Sequence, residues 1–125
     1  MNYFRIFNDD DGQTHISEEK MPMTAFTDSE GAHGFATELF KSTGIVFRQS
    51  PVGYSLDWHC APRRQLIIGI QGVTRIETSD GNQVDLKPGD IALAEDLVGM
   101  GHKTSAIGNV PRTYAVIPCE ENLFI

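Results

Sequence analysis

The sequence predicts an all-β protein, a sandwich or barrel of short strands, and three observations predict it. Between residues 45 and 117, short runs rich in Val, Ile, Phe and Tyr recur, each cut by Gly, Pro, Asp or Asn. That spacing belongs to many-stranded antiparallel architectures. Asp80-Gly81 sits between two of these runs, and Asp-Gly is a strong hairpin signal because its glycine accepts the positive φ of a type I′ turn. Leu66-Ile67-Ile68-Gly69-Ile70 is almost continuously apolar, as a strand covered on both faces would be.

The elements follow in order. Tyr3-Phe4-Arg5-Ile6-Phe7 is β-prone and stops at the acidic turn Asn8-Asp9-Asp10-Asp11-Gly12. Residues 24–44 support two readings. Phe35, Leu39 and Phe40 would share one face of a short helix, while Thr37 to Thr43 would serve equally as a strand. Ile45 to Arg48 is strand-like and ends at Ser50-Pro51-Val52-Gly53, and Tyr54 to Cys60 follows, breaking at Ala61-Pro62-Arg63-Arg64. Gln65 to Ile70 is the apolar strand; Gln71-Gly72 interrupts it and Val73 to Thr78 continues it. Val84 and Leu86 alternate with Gln83 and Asp85 before the turn Lys87-Pro88-Gly89-Asp90. Ile91 to Ala94 and Arg112 to Ile117 are the last clear strands.

A chain of 125 residues has the size of one domain. Apolar residues make up 40% and charged residues 22%, which gives no case for disorder. The net charge of −7 argues against nucleic acid or an anionic membrane as partner, since both demand a basic face. No apolar stretch is long enough to span a bilayer. MNYFRIFNDDDG shows no apolar h-region, and Cys60 and Cys119 are isolated rather than paired in C-x-x-C. The expectation is a cytoplasmic protein with two free thiols and a small-molecule or protein partner.

Several familiar motifs are absent. Gly99-Met100-Gly101-His102-Lys103-Thr104 lacks the spacing of a phosphate loop. Asp9, Asp11, Gly12 and Glu18 fall on calcium-loop positions, but Phe7 occupies the first ligand position. No G-x-S-x-G, H-E-x-x-H or C-x-x-C is present.

What remains is the stretch from Gly53 through His59, Ala61 and Gln65 to Gly72, followed by Lys87-Pro88-Gly89-Asp90-Ile91-Ala92-Leu93 and His102. It resembles the two motifs of the cupin superfamily. The first has a glycine, a His-x-His pair, a glutamate and a second glycine at set intervals; the second has a Pro-Gly-Asp-type turn, an apolar strand and a late histidine. The resemblance covers roughly residues 45–117 and implies a double-stranded β-helix, or jelly-roll barrel, of the RmlC-like kind. One domain over 1–125 is expected, with the barrel core at about 45–117 and the strands of 1–44 packing on it.

The resemblance also implies a site. Many cupins hold iron, manganese, nickel or zinc with three histidines and a glutamate, and often dimerise. Here His59 matches the first histidine, Gln65 the glutamate and His102 the last histidine, while Ala61 replaces the second histidine. A divalent metal held by His59, Gln65 and His102 is therefore one expectation. With no carboxylate among these ligands, such a site favours an anionic chelating substrate. Strand alternation puts Asp57 on the side of His59, and Ile67 on that of Gln65, so Asp57, Ala61 and Ile67 are expected to line the pocket. By the same alternation Trp58 and Cys60 point away. Arg63-Arg64 and Glu95-Asp96 are read as solvated loop charges, and His15 and His33 as surface residues.

Two functions follow from the resemblance. One is a small-molecule-binding cupin acting on a small organic acid as a metal-dependent isomerase, lyase or dioxygenase. The other is a metal-free binding module, or a structural homodimer whose cavity is vestigial. Trp58 and the series Leu66, Ile68, Ile70 would supply the apolar dimer face.

Overall fold

In a computed structural model of the protein, residues 1–119 and 124 are described, and among them every regular element is a strand. In chain order they are β1 (Asn2–Asn8), β2 (Thr14–Lys20), β3 (Thr24–Thr27), β4 (His33–Ala36), β5 (Val46–Ser50) and β6 (Ser55–His59). After these come β7 (Gln65–Gln71), β8 (Val73–Thr78), β9 (Gln83–Leu86), β10 (Ile91–Ala94), β11 (His102–Ile107) and β12 (Arg112–Pro118). A six-stranded sheet runs β2-β1-β10-β7-β12-β5, a four-stranded sheet runs β6-β11-β8-β9, and β3 with β4 forms a separate ribbon. Only β1 and β10 pair in parallel among the described ladders. The architecture is an all-β jelly-roll barrel. Among the described residues no helix is long and apolar enough to cross a membrane.

Two core clusters lie on opposite faces of the larger sheet, as the near-continuous apolar run of β7 requires. Inside the barrel, Ile6, Ile67, Ile76, Leu86 and Val116 pack together. On the outer face Tyr3, Ile91, Leu93 and Cys119 form a second cluster, with Met21, Phe40, Leu66 and Ile68 packed against it. The outward series expected to meet a partner is thus covered in part by the chain's own residues 21 and 40. Ile70 remains 46% exposed and Trp58 42%.

Residues 24–44 differ from both sequence readings. No helix forms, and the hairpin β3–β4 is followed by irregular chain through residue 45. Gly31 and Gly34 have φ of +99° and +154°, values that no helix passes through. Leu39 is 98% exposed and Phe35 71%, while Phe40 alone of the three joins the outer cluster. The hairpin at Asp80-Gly81 also has a different turn. Only Gly81 takes positive φ, at +87°, and Thr78 N–H donates to the Asn82 carbonyl at 2.9 Å. This is a three-residue loop with glycine at the bulge position. The Asp80 carboxylate stabilises it by accepting from the Asn82 N–H at 3.0 Å.

Strands β2 and β11 are too polar to stand out in the sequence. Thr14, at the start of β2, ties the N-terminal hairpin to the rest. It is fully buried; its Oγ1 donates to the Gly101 carbonyl at 2.6 Å and accepts from the Ser79 N–H at 2.8 Å. Beside it His15 bridges two turns, with Nε2 2.7 Å from Asp9 and Nδ1 3.1 Å from Asp80. The Asp9 carboxylate, then Asp80, holds the imidazole above its ordinary pKa, while His15 holds Asp9 below its own. The imidazolium contribution is complete below about pH 6.5 and fades as pH rises through the raised folded value. The Asp9 contribution is present above about pH 4 and fades as pH falls through the lowered one. Urea midpoints of the wild type are therefore expected to fall from pH 6 towards pH 8, and those of His15→Gln to fall less. Parallel profiles would show that the bridge does not form.

Candidate functional site

Between the two sheets lies a cavity of about 330 Å3 that is partly open to solvent. On one side His59, Gln65 and His102 line it together with Ala61 and Ala94; Ile67 and Leu56 line its middle. On the other side stand Arg48, Arg112, Tyr54 and Tyr114, with Thr104 between. Residues from the middle and the end of the polypeptide therefore share one lumen.

His59 and His102 meet because β6 and β11 pair with these two residues opposite each other. Their ring centroids are 4.4 Å apart at an interplanar angle of 56°. Gly101 makes the close approach workable. Its φ is +71°, and a Cβ there would overlap the His59 carbonyl oxygen. Each ring is oriented through Nδ1. In His59 it donates to the Asp57 carbonyl at 2.7 Å, and in His102 to Asp96 Oδ2 at 2.5 Å. Both acceptors place the proton on Nδ1, so the lone pair of the neutral ring sits on Nε2. Burial pushes His59 below its ordinary value of 6.5, against the Asp57 hydrogen bond, and the nearby Arg112 guanidinium pushes the same way as burial. Burial thus favours the neutral imidazole at His59.

Asp96 corrects the sequence reading. It is fully buried rather than solvated, and its Oδ1 has no partner among the described residues. The loop between β10 and β11 folds back so that Asp96 faces His102, its carbonyl receiving the Ala61 N–H at 3.0 Å. Glu95 is also withdrawn from solvent, its side chain 9% exposed, 2.8 Å from Arg5 Nε and 3.4 Å from Arg64 Nε. Nothing in the sequence marks Asp96 as the partner of His102, because the contact depends on the loop's return.

Asp57 also falls elsewhere than expected. Its side chain is 86% exposed and it is absent from the cavity lining. The register explains this. His59 pairs with His102 and Leu56 with Thr104, so β6 fits one residue more than β11 in that interval. A bulge of this kind breaks the two-residue alternation, and Leu56 takes the inward place. Within the bulge Trp58 faces outward, with Lys103 Nζ 5.4 Å from its ring. Cys60, expected to point away, borders the cavity, its thiol 3.4 Å from the Gly99 carbonyl.

The residue that sequence reasoning missed altogether is Arg112. It is 5% exposed, and its Cζ lies 3.8 Å over the Tyr114 ring and 5.9 Å from that of Tyr54. Its Nε has no hydrogen-bond partner, and no carboxylate of the described residues pairs with it. Burial, with Arg48 adding to it, pushes the guanidinium below its usual value. Lone arginines at strand starts are common, so only the absence of a counter-ion sets this one apart.

The donors suit a resident divalent cation poorly. Two imidazoles and one amide oxygen carry no negative charge, no carboxylate lines the cavity, and two guanidiniums do. Among the described residues no group of three or more His, Cys, Asp or Glu is arranged to hold a metal ion.

Comparison with solved structures places this geometry in a known fold. A cupin domain from Bordetella pertussis Tohama I superposes with a TM-score of 0.50 at 14% identity, covering 81% of this chain and 94% of that one. An RmlC-like cupin protein from Desulfovibrio desulfuricans gives a TM-score of 0.45 at 16% identity, covering 81% and 85%. No family model and no curated protein matches the sequence. The chain has the cupin fold.

Proposed function

We propose that the protein binds a small organic anion inside its barrel, with Arg112 holding the anionic group and two imidazoles presented to the rest of the ligand. One observation carries this reading: a guanidinium only 5% exposed stands in a partly open cavity without a carboxylate partner among the described residues. Burying an unpaired charge costs several kcal/mol, and a ligand carboxylate offsets that cost while accepting two parallel hydrogen bonds. The cavity, at about 330 Å3, matches a small metabolite rather than a polymer. A barrel plugged by its own side chains would leave no such volume.

The same site has the parts for proton transfer. Asp96 fixes the His102 tautomer and would stabilise the imidazolium formed when Nε2 takes a proton. A carbon acid held by Arg112 would be a fitting substrate, in isomerase or lyase chemistry. The exposed apolar residues Ile45, Val46 and Phe47, at or beside edge strand β5, favour a homodimer.

A second reading has its own support. Nδ1 of both rings is engaged, as in metal-bound histidines, and Gln65 Oε1 is buried without a partner. On that reading a metal arrives with a chelating acid that supplies the missing negative charge.

Thermal shifts with a panel of small carboxylates, their amides and matching amines test the first reading on protein stripped with EDTA. Carboxylates are expected to raise the melting temperature, and amides and amines to leave it unchanged. Equal stabilisation by the amides would end the anion reading. If carboxylates act only after Zn2+, Mn2+, Ni2+ or Fe2+ is restored, the metal reading replaces it.

A further inference from the structure

We infer that the ligand is an elongated hydroxy acid, its carboxylate at Arg112 and its hydroxyl at Gln65, at opposite ends of the cavity. This rests on the anion reading above and adds the second functional group and its position. Gln65 is 6% exposed, and its Oε1 has no partner among the described residues. His59, its nearest candidate by sequence, spends Nδ1 on the Asp57 carbonyl instead. A buried amide left unpaired costs about 1–3 kcal/mol. A hydroxyl both donates and accepts, so it satisfies the amide in either orientation. An ammonium is a poor alternative, because no carboxylate lines the cavity and Arg48 and Arg112 do.

The register sets the two groups apart. Gln65 on β7 pairs with Pro118 on β12, whereas Arg112 lies at the other end of β12, beside the pairing of Thr113 with Gln71. Six residue steps correspond to about 20 Å of strand. The guanidinium leans over the ring of Tyr114, two residues further along β12, so the gap between the two groups is shorter than the strand positions alone would give. Beside the polar Thr104, Leu56 and Ile67 give this lining an apolar part, which suits a hydrocarbon or aromatic middle. A cavity of about 330 Å3 suits a small organic molecule.

(4-Hydroxyphenyl)acetate, phenylacetate and (2-hydroxyphenyl)acetate are suitable probes, titrated calorimetrically into EDTA-treated wild type and Gln65→Met. The wild type is expected to bind the 4-hydroxy acid at least tenfold more tightly than either of the others. In Gln65→Met that preference should vanish while phenylacetate binding persists. Equal affinity of the wild type for the 4-hydroxy acid and phenylacetate would overturn the hydroxyl assignment and leave the anion reading standing. A preference that survives in Gln65→Met would overturn it too, by placing the hydroxyl elsewhere. If the wild type binds none of the three acids, the anion reading falls and this inference falls with it.

Discussion

Arg112→Met is expected to weaken carboxylate binding by about a hundredfold or more and, at the same time, to make the empty protein more stable. The two effects share one cause. The guanidinium is buried without an anion, and stacking on Tyr114 at 3.8 Å returns only about 1–2 kcal/mol of the desolvation cost. Replacing even paired buried charges with apolar side chains of similar volume is often neutral or stabilises a protein by about 1–4 kcal/mol, and an unpaired charge has no Coulomb partner to lose. Binding loses the charge-assisted hydrogen bonds that only this residue's depth provides. Chemical denaturation and calorimetric titration of the same preparations measure both. Unchanged affinity would remove Arg112 from the site, and a loss of several kcal/mol of stability would make its role structural.

Gly101→Ala is expected to be the most damaging single methyl in the chain. Glycine here has φ of +71°, and a Cβ would run into the His59 carbonyl oxygen and the adjoining backbone. Backbone atoms cannot rotate out of the way as a side-chain tip can. The chain must either leave the left-handed region or push β6 and β11 apart where His59 faces His102. The Gly101 carbonyl also receives the buried Thr14 hydroxyl at 2.6 Å, so the displacement would reach the N-terminal hairpin. A loss of about 3 kcal/mol or more is expected, with ligand binding lost at temperatures where the variant is still folded. Gly81→Ala is the matched control, since that glycine also has positive φ, +87°, but open space around its Cβ position. Equal stability of the two variants would show that backbone conformation, not the approach of the two histidine strands, sets the cost.

The barrel was legible in the sequence because its strands obey local rules. The run from Gln65 to Ile70 and the turns at Asp80-Gly81 and Pro88-Gly89 announce themselves through composition, and the turn glycines take positive φ, +87° at Gly81 and +91° at Gly89. Strands whose side chains face solvent or a polar lumen do not. β2 reads Thr-His-Ile-Ser-Glu-Glu-Lys and β11 His-Lys-Thr-Ser-Ala-Ile, and neither carries an apolar alternation. The meeting of His59 with His102 follows from motif spacing, but the bulge that turns Asp57 outward does not, because alternation arguments assume an unbroken pleat. Asp96 and Arg112 were illegible for another reason. Their significance lies in what surrounds them, an imidazole returned by a loop for one and a missing counter-ion for the other, and neither is a property of neighbouring residues in the chain.

A crystal structure of the protein with a bound carboxylic acid tests the anion site most directly. The acid's two oxygens should lie within hydrogen-bonding distance of the Arg112 guanidinium, with the body of the molecule extending towards His59 and His102. A carboxylate seated outside the barrel, or an Arg112 already paired with a carboxylate of the protein itself, would contradict that assignment.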